Sequence, residues 1–276
     1  MRGQCMAGAA AMARTGSEDT LAQGSFVRAL RAEALKSRHG APVRLAIVLA
    51  LPFPLLAAFV ALSVPQFGLS YSPWNYWYAL LMPVSITLIA ATVANADARL
   101  GNHTLLSSGV PLHLAWGAKV AWCLALLLLS NLVVFAVYAV MSLVVPQGAA
   151  SMSAMLAVAL ALTVMGSWMI PATHFLTMRV GMLAGVFVPL VVQLALSLGW
   201  SVMPFWPACP PAATIVLPTA FLPVLPSGEP ASPGMALVES ISQGPDVALA
   251  LIVAAVLTAA LTAAGAMWLD RSEELR

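Results

Sequence analysis

The sequence predicts an all-α integral membrane protein. It comprises six transmembrane helices, an N-terminal amphipathic elbow helix before the first, and a proline-rich re-entrant or surface segment between spans five and six, with both termini cytoplasmic. Three observations predict this. Hydrophobic residues make up 61% of the chain and charged residues only 8%, against about 25% charged in soluble domains. Six runs are apolar over about the 20 residues that a helix needs to cross a hydrocarbon core of about 30 Å. Every Lys and Arg falls on one side of a six-span arrangement, which the positive-inside rule makes cytoplasmic.

Residues 1–24 are small and polar, with no apolar stretch of the length a secretory signal requires, and read as a disordered cytoplasmic tail. The rest, 25–276, reads as one membrane domain. From Ser25 to His39 the pattern is helical. Phe26, Val27, Leu30 and Ala34 share a face, Arg28 and Lys36 lie opposite, and Leu35 breaks the stripe, before Gly40 and Pro42 stop the helix. A basic helix of this kind lies in the headgroup plane.

The first span is Leu45 to Val64, kinked at Pro52 and Pro54, whose freed carbonyls neighbouring helices must satisfy. The uncharged loop that follows runs into Trp74, Tyr76, Trp77 and Tyr78, read as an aromatic belt in which Trp74 and Trp77 are interfacial anchors. The second span covers Tyr76 to Ala96. A polar turn from Asp97 to Lys119 carries Arg99, Asn102 and His103, and the third span then runs from Val120 to Val145. Ser130 and Asn131 at its middle are expected to bond neighbouring helices.

The fourth span, Met152 to Ala172, ends at Pro171, and a polar link holds Thr173, His174, Thr177 and Arg179, with His174 an interfacial hydrogen-bonder. The fifth is Val180 to Met203, and Gly166, Gly181 and Gly185 are suited to close helix approach. Pro207, Pro210, Pro211, Pro218, Pro223 and Pro226 exclude a straight helix after Trp206, a third interfacial anchor. The sixth span is Val247 to Leu269.

Basic residues assign the sides: Arg2, Arg14, Arg28, Arg31, Lys36, Arg38 and Arg44 precede or open span one, Arg99 and Lys119 lie in the second internal segment, Arg179 in the third, and Arg271 and Arg276 at the end. No fixed charge is expected within the spans, where each would cost about 2.5–3.5 kcal/mol.

The chemistry is defined mainly by what is missing. There is no Gly-x-x-x-x-Gly-Lys-[Ser/Thr] loop, no His-Glu-x-x-His and no Gly-x-Ser-x-Gly. ATP hydrolysis, zinc hydrolysis and serine hydrolysis within this chain are therefore not expected, and no catalytic residue is assigned. His103 and His113 make a poor metal or haem site, and Cys5, Cys123 and Cys209 show no pairing pattern. A nucleic-acid partner is not expected.

The elbow sequence Leu30-Arg-Ala-Glu33-Ala-Leu-Lys36-Ser-Arg38, the Trp74-Asn-Tyr-Trp77 start of span two, the Asp97-x-Arg99 to Pro111 to Lys119 turn and Trp206-Pro207-x-x-Pro210 resemble ABC-2 type permease subunits, within them the lantibiotic-immunity group. The resemblance covers roughly Phe26 to Trp268. It implies a separately encoded ATPase that binds ATP and Mg and docks on the elbow and the turn, a second permease subunit completing a homo- or heterodimer, and a lantibiotic-like peptide cargo expelled from a bacterial cell membrane. Glu33, Lys36, Arg38, Asp97, Arg99, His103 and Lys119 are then the residues expected to couple the ATPase to the spans. The family usually has Glu at the position of Asp97 and an aromatic near His103. A membrane anchor that recruits a cytoplasmic kinase or redox subunit without transport is the second reading.

Overall fold

A computed structural model of the protein describes residues 26–38, 40–98, 111–232, 234–242 and 245–274. The described chain is helical, with no strand beyond a single bridge between Val224 and Pro230. Six helices are long and apolar enough to cross a membrane: Ala41–Ser63, Ser72–Ala96, Leu112–Val144, Met152–Arg179, Met182–Val202 and Asp246–Arg271. Residues 26–37 form a separate helix ahead of them.

The first span is broken where the prolines require it. Helix Ala41–Val48 ends, and Pro52 opens helix Pro52–Ser63, a first-turn position where its missing N–H costs nothing. At the break the Ala50 N–H bonds to Ile47 O rather than to Ala46 O. The Ser130 hydroxyl of span three donates to Ala46 O at 2.9 Å, so a neighbouring helix meets the carbonyl that the redirected Ala50 N–H leaves open. In span two a π turn, Trp77–Leu81, sits just ahead of Pro83 and passes the Met82 N–H to Trp77 O; a widened turn of this kind is a recognised way to absorb an irregularity in the ladder.

Two boundaries differ from the sequence reading. Span three starts at Leu112, with Pro111 as its N-cap, so Lys119 is inside the helix rather than in the turn before it. Span four does not end at Pro171: the helix pauses at Ser167 and Trp168 and resumes as Met169–Arg179. Pro171 falls in the first turn of the new helix, where it is tolerated. His174 is consequently a buried helical residue at 0% exposure and not part of a polar link.

Small residues set the spacing between helices. A Cβ at Gly166 would stand 2.7 Å from Ile86 Cδ1, which brings spans two and four together. A Cβ at Gly185 would collide with Thr177 Oγ1 of span four. Gly181 serves a different purpose, opening span five at φ 128°, a backbone that L side chains rarely adopt.

Contacts between spans at one end, and between loops at the other, define the two ends of the bundle. At one end His113 Nδ1 lies 3.7 Å from Asp270 Oδ2, and the Arg179 guanidinium stands 6.0 Å from the Trp268 ring centre. At the other, Leu69 N donates to Gln147 O at 2.8 Å. Following the chain from these contacts places every described Lys and Arg toward the first end. At the second end lies the proline-rich segment, built of short pieces, Trp206–Ala208, Pro210–Val216 and Leu217–Ala220. Helix Pro210–Val216 is buried along its whole length and packs on spans four, five and six. Pro207, Pro210, Pro211 and Pro218 thus fall in short helices, while Pro223 and Pro226 lie in the non-helical stretch that follows.

Candidate functional site

The basic end is assembled around one carboxylate. In the helix of residues 26–37, Phe26 and Glu33 are seven residues apart and so share a face; Phe26 approaches Gly117, which has no side chain to obstruct it. Glu33 on that face reaches Lys119, with Nζ to Oε1 at 3.1 Å. Lys36, one turn further along, donates to the same Oε1 at 3.0 Å. Glu33 is 7% exposed and Lys119 3% exposed. An ion taken out of water this completely costs several kcal/mol unless it is paired. The pair therefore fastens the helix to span three and also explains why Lys119 can lie within an apolar helix. The expectation of spans free of fixed charge fails at this residue, since Glu33 compensates it.

Span four borders the same region. Cys123, one turn beyond Lys119, has its Sγ 3.6 Å from His174 Nε2, and the Trp116 and His174 rings meet edge to face at 5.8 Å. Trp116 in turn covers Gly265 of span six, where any Cβ would strike the indole. Trp116 and Cys123 stand about one turn from Lys119, but the sequence reading places Trp116 in a polar turn and Cys123 in the span that follows it, and His174, 55 positions beyond Lys119, in a separate link.

Of the sequence-derived coupling residues, Glu33, Lys36 and Lys119 come together. Arg38 follows the same helix and is exposed. The backbone of Asp97 lies in the last turn of helix Met82–Ala98; its side chain, Arg99 and His103 lie outside the described residues. Among the described residues, no group of three or more His, Cys, Asp or Glu gathers as a metal site.

The opposite end is aromatic and neutral. Trp74 and Trp77, read from sequence as interfacial anchors, are both at 0% exposure, so they face the bundle interior instead of the headgroups. The Trp77 indole N–H donates to Asn131 Oδ1 at 3.0 Å, and Asn131 Nδ2 donates to Thr163 Oγ1 at 3.0 Å, which fits the helix-bonding expected of Asn131. The Trp74 and Tyr138 rings meet at a tilt with centres 4.6 Å apart, and Tyr138 stacks on Tyr71 at 5.2 Å. Trp206 is half-buried against a small cluster that includes Met165 and Leu217.

Two neutral tethers hold the loops there. Asn75 Nδ2 donates to Tyr78 Oη at 2.8 Å and reaches the Leu225 and Pro226 carbonyls at 3.3 and 3.4 Å. The Ala150 N–H donates to Tyr71 Oη at 2.7 Å. Burial pushes the Tyr71 phenol up from its ordinary value of 10.0, against the smaller downward pull of that hydrogen bond.

The fold and this placement of charge define a multi-pass membrane protein. Comparison of the chain with family models, curated proteins and solved structures finds no match to any of them.

Proposed function

We propose that this chain is the membrane-spanning permease subunit of an ATP-binding cassette transporter of the ABC-2 type. The observation that carries the proposal is the buried Glu33–Lys119 pair, which joins a basic helix outside the bundle to the longest span at the basic end. With no phosphate loop in the sequence, the engine resides in a separate ATPase holding ATP and Mg. Positive-inside orientation puts that ATPase at the basic end, against the elbow and the 97–111 segment.

A partner can shift the balance between inward-open and outward-open arrangements only through contacts that differ between them. Asp97, Arg99 and His103 are the proposed contact residues. Glu33, Lys36, Arg38 and Lys119 act behind them as positioning residues, so that movement of the elbow is movement of span three. The cargo is an amphipathic, lantibiotic-like peptide expelled from a bacterial cell membrane, and a second permease subunit completes the complex.

Co-expression with the ATPase encoded beside it tests the reading. A stoichiometric nucleotide-binding subunit should co-purify, and the chain should protect cells from a lantibiotic only in its company. D97A/R99A should insert normally yet lose cargo-stimulated ATP hydrolysis. Cargo movement by a complex with no nucleotidase, or stimulation unaffected in D97A/R99A, would sink the proposal.

A further inference from the structure

The helix of residues 26–37 has a second working face, distinct from the Phe26 and Glu33 face that meets span three. Val27, Arg31, Ala34, Leu35 and Arg38 recur at intervals of three and four and so share this outer side. Val27 is 57% exposed and Leu35 59% exposed, an unusual dedication of apolar surface on a helix that already has a buried face. Leu35, which breaks the apolar stripe in the sequence, belongs here.

Beside this face is a groove of about 370 Å³ lined by Arg31, Ala34, Leu35, Arg38, Val43 and Trp122. Its floor is apolar and its polar edge is supplied by two guanidinium groups. Neither Arg31 nor Arg38 forms an ion pair among the described residues. The Trp122 indole N–H within the lining also has no hydrogen-bond acceptor among the described residues. Val43 belongs to the span whose outer surface exposes Val48, Leu55, Phe59 and Leu62.

We infer that the groove is a binding site for an anionic phospholipid. A phosphate between Arg31 and Arg38 receives charge-assisted hydrogen bonds, and an acyl chain covers Leu35, Val43 and Trp122. Charge complementarity selects the anion, while the apolar floor selects a lipid over free phosphate. Basic pockets between membrane helices bind acidic headgroups on this physical basis. The inference does not depend on the permease reading, because any protein with this fold in a bilayer would present the groove to lipid.

The test uses the full chain purified in detergent and exchanged into nanodiscs, with bound lipid quantified by native mass spectrometry. Phosphatidylglycerol should be retained in preference to phosphatidylcholine with the same acyl chains. R31Q/R38Q should weaken that retention about 5-fold per arginine, about 25-fold for the pair. R44Q/R271Q, which removes the same number of charges elsewhere, should keep it. Both arginine pairs are exposed, and a single symmetric size-exclusion peak establishes that each variant is folded. Glycerol phosphate, a headgroup without chains, should not compete at millimolar concentration. Equal retention of the two lipids, equal loss in both double variants, competition by glycerol phosphate, or loss of a co-purifying protein from R31Q/R38Q with lipid unchanged would each overturn the assignment.

Discussion

The two ends of the bundle are held by different physics. At the basic end, the 26–37 helix is fastened by two lysines on one carboxylate, Lys119 at 3.1 Å and Lys36 at 3.0 Å. At the other, loops and the proline-rich segment are held by rings and neutral hydrogen bonds from Tyr71, Asn75 and Tyr138. A buried charge tolerates no half measure, because removing one partner leaves the other stranded. A neutral network loses one bond at a time, at about 1 kcal/mol each. The first arrangement fails all at once, the second one contact at a time.

Breaking the joint should give the largest effect. K119M leaves Glu33 with only the half-exposed Lys36 and should cost about 3–5 kcal/mol, read as a shift in detergent–SDS unfolding. E33L/K119M, which removes both buried charges, should recover most of that loss. If K119M is as stable as the double variant, the ends do not differ in kind. N75A, which cuts the tether to Leu225 and Pro226, should cost about 1–3 kcal/mol, with faster hydrogen exchange confined to residues 222–230. Faster exchange in the 26–37 helix as well would mean that the ends are coupled rather than independent.

The smallest effects belong to Tyr71. Y71F removes the acceptor for the Ala150 N–H and should cost about 1 kcal/mol at neutral pH. The phenol is raised in the folded state, so its contribution is fully present below the ordinary value of 10.0 and is lost as pH rises through the folded value. Wild type should therefore lose stability above about pH 10 more steeply than Y71F. Parallel alkaline limbs would remove Tyr71 from the network.

Much of this architecture could be read from the chain. Long apolar runs declare themselves, and the prolines at 52, 54 and 207–226 marked where helices break or shorten. Asn131 could be read as a helix-bonding residue because an amide in lipid has few alternatives. Lys119 could not be placed, since a lysine beside an apolar run looks like the end of a span unless its counter-ion is known. That counter-ion lies 86 residues earlier, beyond any local spacing rule. Trp74 and Trp77 were misplaced for a related reason: an aromatic cluster at a span boundary has the same pattern whether it faces headgroups or the core. Only the Asn131 carbonyl and the Tyr138 ring distinguish the two.

The third span has 33 residues, about 50 Å at 1.5 Å per residue, whereas the hydrocarbon it crosses is about 30 Å thick. A rod cannot shorten, so in a thinner bilayer it leans further or stands further out. Lys119 lies seven residues from its start, about 10 Å along the axis, and whatever is bolted to that lysine leans with it. A bilayer that tilts span three therefore tilts the 26–37 helix by the same rotation, through the Glu33–Lys119 contact.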